Sequence, residues 1–172
     1  IIYGFSGSIL YSDIASKMLL INTESVEYIA IIFGIIFITA SLCFKFGAAP
    51  FHMWVPDIYQ GSLISTTVLL STLPKVAVFV VFLKLYFIPF LALKFIWSDI
   101  LIFVGMLSII VGSIFALTQE NIKRLLAYSA ISNIGFIILS IGLVTISGLQ
   151  ASLYYTIVYS LTALASFGII TH

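Results

Sequence analysis

Hydrophobic side chains run along this chain in long blocks separated by short polar breaks. They show neither the strict alternation of a half-buried strand nor the single stripe of a water-soluble helix. The blocks Val26–Phe46 and residues 63–88, 100–118, 125–144 and 149–170 are each about 20 residues long, which lets a helix cross a ~30 Å hydrocarbon core. A transmembrane barrel would show alternating segments of about 10 residues instead. Residues 1–11 are apolar but only about half a span long, with no basic leader and no small-residue cleavage site. They read as the end of a helix whose beginning lies in a longer chain or on another polypeptide. Residues 12–25 carry Asp13, Lys17 and Glu24, with Glu27 just beyond, while Ile14, Met18 and Ile21 recur at helical spacing. That pattern predicts an amphipathic segment lying on one membrane surface. The expectation is an all-α, polytopic transmembrane bundle of about six helices, the first incomplete, forming one membrane domain over residues 1–172.

The most informative stretch is residues 44–61, Phe-Lys-Phe-Gly-Ala-Ala-Pro-Phe-His-Met-Trp-Val-Pro-Asp-Ile-Tyr-Gln-Gly. Lys45 closes an otherwise apolar run, and Gly47 to Pro50 then interrupts the helix, because proline lacks the amide hydrogen that an interior turn needs. Val26–Phe46 and a short piece over 51–59 therefore form one discontinuous helix broken near Gly47 and Pro50. Freed backbone groups and an ammonium are tolerated at membrane depth only where protein or a water-lined cavity satisfies them. A lysine there costs roughly 2.5–3.5 kcal/mol on insertion scales. This makes Lys45 a candidate ion or proton site, against the plainer reading of a lysine snorkelling from a helix end. His52 is read first as capping or bridging the break by hydrogen bonding, and second as a proton carrier. Trp54 and Tyr59 flank the Pro56-Asp57 step and are expected at headgroup level.

In the block 63–88, Pro74 is followed at once by Lys75, about a dozen residues (~18 Å) from either end at 1.5 Å per residue. Lys75 is too deep to snorkel easily and must face protein or water. Pro74 is expected to kink the helix and free the Leu70 carbonyl as an acceptor. Lys84, Lys94, Trp97 and Asp99 read as interfacial anchors around the block that starts at residue 100. Lys17, Lys84 and Lys94 on one side against Lys123 and Arg124 on the other leave the orientation open.

Composition narrows the function classes. With 62% hydrophobic and 8% charged residues, the chain has too little polar surface to cover a water-soluble globule. A net charge of +1 and the lack of a glycine-rich phosphate loop argue against nucleic-acid and nucleotide binding. A single cysteine, Cys43, excludes an internal disulfide. With His52 and His172 as the only imidazoles, it leaves too few ligands for a haem or iron–sulfur site.

Three motifs in order carry a resemblance: residues 44–61, Pro74-Lys75, and Asn-Ile-Lys-Arg-Leu-Leu-Ala-Tyr-Ser at 121–129. Together they resemble chain 2 (chain N in bacteria) of NADH:ubiquinone oxidoreductase, respiratory complex I. Each motif alone also resembles the sister antiporter-like chains and the Mrp-type cation/proton antiporters. The resemblance covers only the central portion of that family. It implies two inverted repeats, the later helices of the first over about 1–88 and the opening helices of the second over about 99–172. The family's hallmark glutamate would precede Ile1, and the lysine of its second broken helix would follow His172. Asn133 stands where many relatives carry histidine, which weakens a relay on that helix.

The resemblance implies a subunit of an H⁺-translocating NADH:ubiquinone reductase with no redox site of its own. Protons would move through Lys45, Lys75 and Lys123, driven by remote quinone reduction, with Gly47, Pro50, His52 and Pro74 forming and supporting the break. Lys45 would be the central switch, since the charge of a desolvated lysine is readily switched by a nearby field. Lys75 would pass the proton on, and Lys123, at a helix start, is as readily an anchor as a carrier. No cofactor is expected in this chain; NADH, FMN, iron–sulfur clusters and ubiquinone would belong to other subunits. Expected partners are membrane lipid and other membrane-arm subunits. One chain or segment among them would supply the missing early helices and an acid for Lys45, because every carboxylate here is expected in a connection or at a helix end. The alternatives are a non-conducting structural module of the same complex and an Mrp-type antiporter subunit. The Phe-, Ile-, Tyr- and Ser-heavy composition points to a mitochondrial inner membrane, with a bacterial plasma membrane as the alternative.

Overall fold

The computed structural model describes residues 1–21 and 25–170; Glu24 and His172 lie outside them. Two short helices open the chain, α1 (Ile2–Ser6) and α2 (Tyr11–Leu20), and α1 stops where Gly7 turns left-handed. As the amphipathic pattern predicts, Ile14 and Met18 of α2 are buried. Then come α3 (Val26–Phe46), the short α4 (Trp54–Gly61), α5 (Ile64–Phe87), a 3₁₀ turn at Leu91–Leu93, α6 (Lys94–Leu117), α7 (Ile122–Gly142) and α8 (Ile146–Ile170). Among the described residues, five segments are long and apolar enough to cross a membrane: α3, α5, Leu91–Leu117, α7 and α8. Large apolar side chains on their outer faces, such as Phe37, Leu73, Leu117 and Ile157, are exposed, as lipid-facing positions are.

The closest helix pair is α6 with α7, and small residues are the reason. A methyl group on Gly112 would lie 2.6 Å from the Ser132 amide nitrogen, and one on Gly135 would lie 2.8 Å from the Gly105 carbonyl oxygen. The two backbones approach closely because glycine on one or both helices offers no Cβ, the contact by which membrane helices gain packing without a hydrophobic drive. Helix α8 packs on α5 and α7, α4 lies on α7, and α3 lies on α5 and α6. The larger core runs between α3, α5, α6 and α7 through Ile35, Phe46, Phe82, Tyr86, Trp97 and Ile138.

Two expectations about aromatic anchors are corrected. Helix α6 begins at Lys94, not near residue 100, so Trp97 lies inside it, fully buried; its Nε1 donates to the Phe90 carbonyl at 2.8 Å and its ring sits 4.9 Å from that of Tyr86. Tyr59 is likewise fully buried and meets Phe167 edge-on at 5.8 Å. Both rings are enclosed by neighbouring helices rather than held at a surface. Asp99 consequently falls within α6, on an exposed face, so the expectation that no span carries an acid does not hold.

Candidate functional site

The break after α3 is built by the residues that the motif singles out. Gly47 adopts φ 78° and ψ 33°, and its N–H returns to the Cys43 and Phe44 carbonyls, while the Ala48 N–H donates to Cys43 at 2.9 Å. This left-handed cap closes α3 and leaves its last carbonyls pointing onward, where the helix dipole places partial negative charge. Ala49 and cis Pro50 follow. The turn is pinned from α6 by Ser108, whose Oγ accepts the buried Ala49 N–H at 2.9 Å and donates to the Val104 carbonyl at 2.7 Å. On the other side Trp54, at the start of α4, donates Nε1 to the Phe44 carbonyl at 2.9 Å, so the two halves of the broken helix are tied directly.

Lys75 is the cation that this break receives. It projects from the middle of α5, is only 2% exposed, and donates its ammonium to the Phe46 carbonyl, the end of α3. The Nζ lies 5.5 Å from the centre of the Trp54 ring and 6.0 Å from that of Phe46, within cation–π range. The acceptor is therefore not the Leu70 carbonyl, and α5 runs on as one helix through Pro74. The helix terminus of α3 offers a better electrostatic partner than a carbonyl within α5. Glycine at 47 makes the approach possible, since a methyl group there would lie 3.1 Å from Lys75 Nζ and 2.6 Å from Val55 Cγ2.

The other two lysines are elsewhere. Lys45 lies in the last turn of α3 but on its exposed face, and among the described residues it has no hydrogen bond or ion pair. It borders an open recess of about 480 Å³ walled by Phe44, Trp54, Ile58, Pro74 and Ala77. Lys123 is partly exposed and donates to the Ser62 carbonyl at 3.1 Å, beside Arg124, which contacts Asp57 at 3.5 Å and Gln60 at 3.1 Å. Asn121 caps α7 by accepting the Lys123 N–H at 2.9 Å, so the start of α7 clamps the turn between α4 and α5.

His52 is 8% exposed, with its ring centre 6.5 Å from that of Tyr128. Its ring faces the Pro50 backbone inside the break, its Nδ1 has no hydrogen-bond partner, and its carbonyl accepts the Val55 N–H at 3.0 Å. Asn133 accepts from the Tyr155 hydroxyl at 2.8 Å. The structure thus brings Lys75, Gly47 and Trp54 together; Lys45 faces outward on a recess it shares with Trp54 and Pro74, and Lys123 lies apart at the start of α7. Sequence reasoning missed Ser108. Its signal was a small polar residue between Gly105 and Gly112 in an apolar span; the two glycines meet α7, whereas Ser108 reaches the turn after α3.

The family model described as NADH:quinone oxidoreductase/Mrp antiporter, transmembrane, matches residues 1–172. NADH-quinone oxidoreductase subunit N of Ruthia magnifica subsp. Calyptogena magnifica is 46% identical over 169 residues, covering 98% of this chain and 35% of the relative. The same subunit of Hydrogenovibrio crunogenus is 44% identical over 169 residues, again covering 98% and 35%. The chain therefore spans about a third of the length of the curated relatives it matches. A chain in the structure of an Mrp complex from Dietzia sp. DQ12-45-1b superposes with a TM-score of 0.82 at 21% identity, over 96% of this chain and 30% of that one, a likeness of fold. A match along residues 1–172 makes this chain a member of the NADH:quinone oxidoreductase/Mrp antiporter transmembrane family.

Proposed function

We propose that this chain is the central portion of a proton-translocating membrane-arm subunit of NADH-quinone oxidoreductase. The observation that supports it is the buried Lys75 ammonium held by the carbonyl terminus of a broken transmembrane helix, with no carboxylate beside it among the described residues. A scaffold would avoid that insertion cost with leucine at this position. In its charged form Lys75 gains the α3 dipole and the Trp54 and Phe46 ring faces; in its neutral form it loses those gains and the desolvation cost together. A field arriving from a neighbouring charge would then favour one form over the other. Lys45, facing the open recess, is the charge we assign to that coupling, with its acid on a helix from the rest of the protein or from a neighbouring subunit. Lys123, tied to Ser62, is a secondary carrier at the α7 end. The residues 1–88 and 99–172 belong to successive inverted repeats in this reading.

Partners are the other membrane-arm subunits. NADH, FMN, iron–sulfur clusters and ubiquinone are assigned to other subunits, so this chain contributes to an oxidoreductase without carrying its redox step. The relatives named above are bacterial, which favours a bacterial plasma membrane over the mitochondrial inner membrane suggested by composition. The exposure of Lys45 is the observation that favours the second reading, a structural module that does not conduct. Lys75→Met decides between them, because it removes the charge and keeps the apolar stem. Protons pumped per electron pair by the assembled complex in sealed vesicles are expected to fall; an unchanged ratio with normal assembly supports the module.

A further inference from the structure

Lys17 and Glu27 share a recess that the Lys75 site does not use. It has a volume of about 280 Å³ and opens beside α1, α2 and the start of α3, lined by Ile2, Phe5, Lys17, Met18, Glu27 and Ile31. Lys17 lies in the last turn of α2 and donates its ammonium to the Ser6 carbonyl, which leaves two of its three N–H donors. Glu27 lies in the first turn of α3. Both residues are exposed, and among the described residues they form no ion pair with each other or with any other charge. Asp13, the other acid nearby, is instead taken up by the Ser8 and Ser12 hydroxyls.

The recess is graded from charged to apolar. Glu27 stands at the end of a membrane span, hence at headgroup level, and Ile31 lies about one turn further in, ~6 Å at 1.5 Å per residue. Ile2 is deeper still, packed where a methyl group on Gly34 would lie 3.0 Å from its Cγ1. Leu20 on the wall and Val26 beside Glu27 are 84% and 81% exposed, so the mouth is bordered by side chains that suit hydrocarbon rather than water. Two unmatched charges of opposite sign at the mouth, above an apolar floor, are the complement of a lipid whose headgroup carries both signs.

We propose that this recess binds phosphatidylethanolamine, with its phosphate on Lys17, its ammonium on Glu27 and an acyl chain along Met18 and Ile31 toward Ile2. The chemistry selects this headgroup. Its ammonium keeps N–H donors for the Glu27 carboxylate, so a charge-assisted hydrogen bond forms at each end. The quaternary ammonium of phosphatidylcholine has no N–H to donate, and phosphatidylglycerol has no cation to set against Glu27. The site sits at the opposite end of α3 from Lys45 and does not depend on whether the chain moves protons.

Photolabelling of the whole complex in lipid nanodiscs tests this. The probes are phosphatidylethanolamine, phosphatidylcholine and phosphatidylglycerol with a diazirine on the same acyl chain, each diluted into an equal mixture of the unlabelled lipids. Labelled peptides are located by mass spectrometry. Ile157, exposed on α8, is the control for lipid that touches any apolar surface. The phosphatidylethanolamine probe is expected to label the peptides carrying Met18 and Ile31 several-fold more than the Ile157 peptide, and several-fold more than either other probe does. Glu27→Gln is expected to remove that preference and leave Ile157 labelling unchanged; a preference that survives it overturns the assigned contact. Equal labelling by the three probes overturns the proposal, and so does a phosphatidylglycerol preference, which would give the recess to an anionic lipid held by Lys17 alone. Labelling no greater than at Ile157 overturns it too and means that another protein segment fills the recess. The comparison of probes uses the unaltered complex, so it decides even where Glu27→Gln does not assemble, and no arm reads proton pumping.

Discussion

Lys45 and Lys75 lie on consecutive membrane spans around the same break, and the fold treats them oppositely. Lys75 sits mid-helix, fully enclosed, with its ammonium on the Phe46 carbonyl and two aromatic faces nearby. Lys45 sits in the last turn of α3, adjacent to Phe46 in the chain, yet it turns outward into an open recess. Successive residues on a helix differ in direction by about 100°, so an ordinary rotation about α3 separates a residue that helps enclose the break from one that faces away from it. The lesson is that depth in the sequence and depth in the bundle are different quantities. A lysine near a helix end can be the outward-facing partner, while the one that approaches the break comes from the next span.

The largest way to break this contrast is to fill the space through which Lys75 reaches α3. Gly47→Ala sets a side chain in the left-handed region, which costs roughly 1–2 kcal/mol, and crowds Val55 at 2.6 Å and Lys75 Nζ at 3.1 Å, adding about 1–3 kcal/mol of overpacking. Thermal unfolding of the purified complex is expected to show a clear loss of stability at this subunit; an unchanged midpoint would mean that the break does not constrain Lys75. Ser108→Ala comes next. It strands the buried Ala49 N–H, at about 1–3 kcal/mol for an unsatisfied buried donor, and pumping is expected to decline with the loss of the turn's geometry. Equal stability and equal pumping in this variant would show that the α6 contact is dispensable.

How much of this was readable beforehand depends on whether a feature is local. Block length gave the spans, because crossing hydrocarbon needs a fixed number of apolar residues, and Gly47 with Pro50 located the break through backbone chemistry alone. The depth of Lys75 was readable for the same reason. The orientation of Lys45 was not, because α3 is apolar all round and offers no stripe from which to choose a face. Trp97 and Tyr59 were misplaced by a rule that puts aromatics at membrane surfaces; the earlier start of α6 enclosed one and Phe167 the other. The Leu70 carbonyl was the local choice of acceptor, and Phe46, on another helix, was the tertiary one.

The smallest expected effect on stability sharpens the contrast from the Lys45 side. Lys45→Met removes an exposed charge without a bonded partner among the described residues, so its stability change is expected within about 0.5 kcal/mol, typical of substitutions away from bonded features. Its effect is instead expected on pumping, through the acid assigned to the recess. A structure of the full-length protein should place a carboxylate within ~4–6 Å of Lys45, the range in which a charge biases its neighbour. Neighbouring helices resolved without such an acid would reduce Lys45 to an anchor.

The central claim is that Lys75 works by alternating between charged and neutral forms, and Lys75→Arg tests it most directly. Arginine keeps the positive charge and can still donate to the Phe46 carbonyl, but it does not deprotonate in proteins. Protons moved per electron pair by the assembled Lys75→Arg complex in sealed vesicles are predicted to fall as they do for Lys75→Met. A wild-type ratio in the arginine variant would show that a fixed charge is sufficient at this position and would contradict the switching role.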